Sequence, residues 1–519
     1  MVRIEYNPNR PDFSCDYGIA RALRGLLEIE VGMPKFKPKA NVKYKILVEP
    51  SVRMLRPYIV GLAATNGSLD DETIRQLIGM QEDLQIGIGR QRKKASIGMH
   101  NLDAITFPVN YKTVDSRYTF VPLGQSGRQT IRQILQSETG KEYRDILDQS
   151  GDDVACPILI DQAGNVLSFP PIINGNLTRI DTNCKNLFVE VTGTERKAAE
   201  DILAIIAITL HDAGFEVSTT TIKSARKNSY KTRATEIQAP NLETREITIG
   251  SKYINGMLGL NIDTNTLVRC LRKCRLGAKA GKKGKILCMI PRYRTDLFQT
   301  IDLVEEVAVG YGIYKLEPTS PESATTGKKS ELSVYFDSVR NTLIGLGMIE
   351  AINHTLSSKR IEYEFVARDE PTKLLAVEGT KSIEYEVLRD SLIPSLMQSL
   401  SRNIHEEYPQ QLFELGKVFQ KTLILSESWS LAVVLTHSGV DYTSAKSVLQ
   451  AFLKSCFGKE VSTRAASGSM FIPGRCANIF VDAKHVGIIG EILPLVIENF
   501  KIRMPVAAFE INLSQLLPL

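Results

Sequence analysis

Two constellations in this 519-residue chain join residue types and spacings that chemistry can use. The first is SFPPIINGN at 168–176. Pro170 and Pro171 fix backbone angles and supply apolar walls, while Ser168, Asn174 and Gly175 bring small polar groups and a tight turn to the same place. Arg179 follows, and Glu190 falls in NLFVEVTG (186–193), whose two-residue alternation predicts a strand with Phe188, Glu190 and Thr192 on one face. A carboxylate beside an aromatic wall and an asparagine suits a ligand that carries both a ring and a hydroxyl. The competing reading is a polar hairpin edge with Glu190 in solvent, and the residues by themselves favour it.

The second constellation is Asp296, Asp302, Glu305 and Glu306, four carboxylates within RTDLFQTIDLVEE. A helix starting near Thr300 places Asp302, Glu305 and Glu306 on one face of its first turn. Oxygen-only ligands of this kind suit Mg²⁺. The alternative is that acidic residues simply meet the positive end of a helix dipole. No GxSxG, HExxH or P-loop pattern competes, and the six histidines (100, 211, 354, 405, 437 and 485) are each isolated along the chain.

The elements that must position these residues are mixed. CPILID and NVLSF read as strands around the turn QAGN, and TERKAAEDILAIIAITLHDAG reads as a helix with Thr194 as N-cap and Gly214 at its end. After a linker-like LEPTSPESATTGKKSE, SELSVYFDSVRNTLIGLGM is an amphipathic helix with Leu332, Val339, Leu343 and Leu346 placed for burial. The runs QLFELGKVF, SLAVVLTH, CANIFVDAKHVGIIGEI and VAAFEINL predict an antiparallel sheet with covering helices.

Composition sets the outer limits. The length asks for three or four domains, and 43% hydrophobic with 24% charged residues is ordinary for a soluble globular protein. No membrane span or secretory signal is evident, and eight scattered cysteines fit reduced thiols in the cytosol, so the chain is expected to be cytoplasmic. A net charge of +6 is compatible with RNA without requiring it; positive charge gathers in RQRKK (90–94), KSARKNSYKTR (223–233) and RCLRKCRLGAKAGKKGK (269–285).

Longer stretches carry a resemblance. NPNRPDFSCDYGIARALRG (7–25), RQRKKASIGMHNLD (90–103), VLSFPPIINGNLTRIDTNCKNLFVEVTGT (166–194), RYRTDLFQTIDLVEEVAVGYG (292–312), LRDSLIPSLMQSLSRNIHEEYPQQLFELGKVF (388–419) and FIPGRCANIFVDAKHVGIIGEILP (471–494) occur in one order. In them the chain resembles the beta subunit of cytosolic phenylalanyl–tRNA synthetase, archaeal and eukaryotic type.

The resemblance implies an α+β multidomain protein. Its expected parts are an N-terminal segment at 1–74 that is short relative to the family, a mixed α/β tRNA-editing domain at 75–235, a helix-turn-helix-like domain with a Mg²⁺ site at 236–320, and a catalytically inactive class II synthetase-like antiparallel sheet domain at 325–519. It implies an alpha subunit as partner in an α2β2 heterotetramer, with alpha binding ATP and phenylalanine and charging tRNA(Phe). QLFELG lacks the arginine with which a class II motif would hold ATP. In the family the carboxylates matched by Asp296, Asp302, Glu305 and Glu306 bind Mg²⁺, and the editing domain hydrolyses tyrosine misplaced on tRNA(Phe). On that reading Glu190 accepts the tyrosine hydroxyl, Asn174 and Ser168 line the pocket, and Arg179 orients Glu190 or meets the tRNA end. The hydrolytic water has no dedicated side-chain base. The alternative is a non-catalytic scaffold or RNA-binding relative whose editing pocket has degenerated.

Overall fold

The computed structural model describes residues 3–147, 155–228, 231–318, 320, 325–371, 374–380, 382–421 and 424–516. It divides into two compact units, Met1–Ser320 and Pro321–Leu519. The division falls within the expected linker, of which residues 319 and 321–324 lie outside the described residues. So do residues 229–230 of the basic run 223–233.

Among the described residues of the first unit, ten strands form one sheet. They are β1 (Lys45–Val48), β2 (Tyr58–Thr65), β3 (Ala95–Asn101), β4 (Val109–Val114), β5 (Cys156–Ile160), β6 (Val166–Phe169), β7 (Ile173–Asn174), β8 (Leu187–Gly193), β9 (Glu216–Asn228) and β10 (Lys231–Ala239). Their spatial order is β3-β8-β2-β9-β1-β4-β5-β6-β7, with β10 also pairing β9. The expected boundary at 74/75 therefore does not separate domains. β1 and β2 precede it in sequence yet sit in the middle of the sheet, paired with β8 and β9.

The sheet curls until its far strands meet its first ones. Asn174 Nδ2 on β7 donates to the Met99 carbonyl on β3 at 3.4 Å, and Ser168 on β6 reaches β8. This roll explains why all seven residues of β8 are buried, although their alternation suggested one wet face. Helix α1 (Asp16–Leu26) and helix α2 (Asp71–Ile86) come early in the unit, and α3 (Arg196–Asp212) joins the sheet in one apolar core. Every residue of α3 from Ala198 to Leu210 is buried, including Glu200 and Asp201, which are paired with Arg196, Lys197 and Arg292. Its N-cap is Glu195; Thr194, the expected cap, instead donates its hydroxyl to the Lys93 carbonyl at 2.9 Å.

The unit ends in a small α+β module: β11 (Arg245–Gly250), α4 (Ser251–Leu258), α5 (Thr264–Lys273), β12 (Gly277–Ala280), β13 (Lys285–Ile290) and α6 (Thr300–Tyr311). Gly259, at φ 65°, ends α4, and the Asp263 carboxylate caps α5, so two short helices follow each other where a helix-turn-helix-like domain was the expectation. The three strands, in the order β11-β13-β12, are an addition to that expectation.

In the second unit α7 (Glu331–Gly345), β14 (Ile349–Glu350), α8 (Ile393–Arg402), β15 (Gln410–Lys421), β16 (Leu425–Thr436), α9 (Tyr442–Phe457), β17 (Val461–Ala465), β18 (Phe471–Val481), β19 (Lys484–Ile492) and β20 (Val506–Asn512) follow in chain order. Among the described residues seven strands make one sheet, β14-β15-β16-β20-β19-β18-β17, antiparallel except at β14. Leu431, Val433 and Leu435 of β16 join a core with α7 and α9, and Ala432 and Val434 join one with α8. In α7, Val339 and Leu343 are buried as expected, but Leu346 lies beyond the helix end and is exposed. No helix among the described residues is long and apolar enough to cross a membrane.

Within QLFELG, Glu414 is buried and committed. Arg389 Nη1 donates to it at 2.5 Å, and Asn353 donates through Nδ2 at 2.7 Å and its amide at 3.2 Å. Gly416 leaves the room, since a Cβ there would lie 2.3 Å from Arg389 Nη2. Removing one member of a buried pair costs more than replacing both. Glu414→Ala is therefore expected to lower unfolding free energy in urea by about 3–5 kcal/mol, and adding Arg389→Met to recover most of it. An unrecovered loss would show that packing, not charge, dominates there.

Candidate functional site

Glu190 stands at the middle of β8, directly opposite Gly61 of β2 on one side and Gly98 of β3 on the other. Gly98 leaves space beside its side chain, whereas a Cβ on Gly61 would meet the Val189 carbonyl and the side chains of Ile46 and Phe188. A Cβ on Gly98 would lie 2.4 Å from Glu190 Oε1 and 2.7 Å from His100 Nε2, so these two polar groups converge over that one residue. Glu190 is 2% exposed and His100 0%. Ser168 donates to Glu190 Oε1 at 2.9 Å; Oε2 has no partner. His100 Nδ1 meets the Thr178 hydroxyl at 2.8 Å, and its Nε2 likewise has no partner.

Aromatic rings close the walls. His100 is the cross-strand partner of Phe188, with ring centroids 6.2 Å apart, and Phe107 meets Phe188 edge-on at 5.4 Å. Beneath them Arg56, 1% exposed, donates to Thr192 Oγ1, the Thr192 carbonyl and Ser96 Oγ at 2.9–3.1 Å. The Tyr111 hydroxyl donates to the Arg56 carbonyl at 2.8 Å.

Burial governs the protonation of this cluster. It pushes the Glu190 carboxyl up to about 7, against the Ser168 hydroxyl and the Arg56 guanidinium, which pull it down. It drops His100 to about 3, so the ring is neutral, and lowers Arg56 to about 10. The cluster thus holds a carboxyl group balanced near neutrality and a neutral imidazole, each with one unused hydrogen-bonding atom. That suits a ligand hydroxyl, which can give one bond and take another.

Three of the four residues expected at this pocket come together. Ser168 and Asn174 are register partners on β6 and β7, and Ser168 bonds Glu190. Asn174 turns its amide to the Met99 carbonyl. Arg179 does not orient Glu190: it is exposed, and the guanidinium acting on Glu190 is that of Arg56. Arg56 and His100 were missed because both join the site through strand pairing. The sequence signal lay in the glycine at 98 and a histidine two residues beyond it.

The four carboxylates of the expected Mg²⁺ site do not converge; no group of three or more ligating side chains gathers among the described residues. One reason is Arg294, 1% exposed, which lies between Asp296 and Glu306. It donates to Asp296 at 2.9 and 2.6 Å and to Glu306 at 2.9 and 2.6 Å. Asp302 caps α6, accepting from the amides of Phe298 and Gln299 at 2.6 and 2.8 Å, and Glu305 is exposed. As a four-residue cage the set does not fit the ion, because its two buried members are already neutralised by a cation of the chain.

Comparison with known proteins agrees with this architecture. A family model described as the phenylalanyl tRNA synthetase beta chain CLM domain matches residues 316–513, and one for the tRNA synthetase B5 domain matches 247–313. The phenylalanine–tRNA ligase beta subunit of Archaeoglobus fulgidus is 37% identical over 99% of this chain and 91% of its own length. That of Pyrococcus furiosus is 34% identical over 98% and 90%. The crystal structure of an N-terminal fragment of the phenylalanyl-tRNA synthetase beta subunit from Pyrococcus horikoshii overlays with a TM-score of 0.55 at 30% identity, covering 59% of this chain and 85% of that one.

Two measurements check the electrostatics. The folded Glu190 value, about 7, lies above the 4.5 of an ordinary glutamate, so the native state takes up a proton between them. The stability this contributes is complete below the lower value and lost as pH rises through the upper. From pH 5 to pH 8 the chain should lose up to about 3 kcal/mol relative to Glu190→Gln; parallel pH curves would mean an ordinary carboxylate. Arg294→Met should lower stability by about 3–5 kcal/mol, whereas EDTA should leave the unchanged chain's unfolding midpoint where it is. A midpoint that EDTA shifts would return the carboxylates to a metal.

Proposed function

Because the chain belongs to the phenylalanine–tRNA ligase beta-subunit family and so is a subunit of an aminoacyl-tRNA ligase, we propose that it supports ATP-dependent charging of tRNA(Phe) by an alpha subunit and itself hydrolyses mischarged Tyr-tRNA(Phe). The observation that carries the second half is a buried carboxylate with one oxygen, Oε2, unpaired, whose other oxygen lies over Gly98 with the unpaired Nε2 of His100.

Phenylalanine and tyrosine differ by one hydroxyl, which an apolar charging pocket rejects only weakly. A site built from a buried acceptor inverts the preference. The tyrosine hydroxyl donates to Glu190. With the Thr178 hydroxyl donating to Nδ1, His100 Nε2 carries a proton and donates to the phenol oxygen. Phenylalanine makes neither bond and leaves both groups desolvated, at a disadvantage of about 1–3 kcal/mol or more. Ser168 holds the carboxylate, Asn174 sits across the hairpin from it, and Phe188 with Phe107 faces the ring. Exposed Arg179 is left to meet the tRNA end.

For charging, the second unit is an assembly partner. Glu414, in the segment where ATP would be held, is enclosed with Arg389 and Asn353. ATP and phenylalanine are then bound by alpha, in an α2β2 complex. The sealed state of the pocket favours the alternative, a scaffold whose editing has lapsed, since Glu190, Ser168 and His100 are all closed to solvent.

A deacylation assay with the assembled complex decides. Glu190→Ala should lower kcat/KM for Tyr-tRNA(Phe) hydrolysis by about 10- to 100-fold and leave phenylalanine charging unchanged. The chain alone should not charge tRNA(Phe) until alpha is added. Background hydrolysis by the unaltered complex supports the scaffold, and unaltered hydrolysis by the variant places the site elsewhere.

A further inference from the structure

The segment between α2 and β3 follows an uncommon path. Arg90, Gln91 and Arg92 have φ of 50°, 54° and 65°, three successive non-glycine residues in the left-handed region. L-residues avoid that region, and such a path persists only where its surroundings impose it. Here the amides of Gln91 and Arg92 donate back to the carbonyls of Ile86 and Gln85 at 3.2 and 3.1 Å. Arg90, Gln91 and Lys93 stay exposed while Arg92 is turned inward.

Arg92 is then a junction. Its Nη1 donates to the carbonyls of Pro171 and Ile172, both at 3.2 Å. Its Nη2 donates to the Glu82 carboxylate at 3.2 and 3.3 Å, and its guanidinium lies 4.2 Å from the Tyr143 ring centroid. Its own carbonyl accepts from Arg56 Nη2 at 3.1 Å, the nitrogen that also reaches Ser96 and Thr192 beside Glu190. Pro171 and Ile172 form the turn between β6 and β7, the hairpin on which Ser168 faces Asn174. One residue therefore grips the hairpin tip with its side chain and, with its backbone, is held to the strands that carry Glu190 and His100.

We infer that Arg92 is a positioning residue of the pocket: it sets the separation between the Pro170–Pro171 hairpin and the Glu190 strand, and with it the space available to a tyrosyl ring. Its functional part rests on the editing reading above; its geometric part does not. Only a planar, forked cation serves two carbonyls, a carboxylate and a ring face together, so lysine is a poor substitute. A misplaced hairpin weakens capture of the ring while leaving the ester and its water as they were.

The test uses the full chain assembled with its alpha partner. Arg92→Met is expected to raise KM for Tyr-tRNA(Phe) hydrolysis about tenfold, with kcat within about twofold. Arg92→Lys should restore little of it. Amide hydrogen exchange should quicken about tenfold or more across 170–176 and stay unchanged across 187–193. Unchanged exchange at the hairpin, or a loss confined to kcat, overturns the assignment. If the unaltered complex hydrolyses no Tyr-tRNA(Phe), the editing reading falls and hydrogen exchange alone decides Arg92. If Arg92→Met does not fold, Glu82→Gln loosens the same guanidinium from outside and should move KM and hairpin exchange in the same direction; no movement overturns the assignment.

Discussion

Keeping a carboxyl group dry inside a rolled sheet is the constraint around which the N-terminal unit is organised. An unpaired charge in such a place opposes folding by several kcal/mol, which surrounding apolar burial must offset. The strands beside Glu190 are mostly buried, and α3 is buried along nearly its whole length. Against that background one hydroxyl and one guanidinium only partly compensate Glu190, and burial still lifts its proton affinity. A group kept at such a disadvantage is poised to gain from a donor brought in from outside.

Two other buried carboxylate clusters in the chain meet a different environment, although Glu362, also buried, has both its oxygens unpaired among the described residues. Glu306 and Asp296 have Arg294 between them, and Glu414 has Arg389 and Asn353. These clusters are complete within the chain and hold segments together. Burial alone does not distinguish these saturated acid groups from Glu190, since both kinds are hidden; their partners do.

Local patterns in the sequence carried much of this. The strand at 187–193, the helix at 300–311 and the long strands of the second unit follow from alternation, capping and β-branched runs. What depends on long-range closure was not legible. Two-residue alternation in β8 said that Glu190 faces away from Val189, but only the curl that brings β6 across from β8 makes that face dry. The boundary near 74 failed for the same reason, because β1 and β2 read as a separate segment until the strand order is known. At 296–306 the acidic residues drew attention to a metal while Arg294, two positions before Asp296, supplied the positive charge. His100 looked isolated because its neighbours are cross-strand ones, and pairing register is not written in either strand alone.

Gly98 makes the design fragile in an instructive way. The atom it lacks would lie 2.4 Å from a carboxyl oxygen of Glu190 and 2.7 Å from the ring nitrogen of His100. A single methyl group would thus crowd the acid and the ring while every polar residue stayed in the sequence. Divergent relatives that retain the acid and the histidine yet carry alanine at this strand position would have lost the arrangement through volume alone.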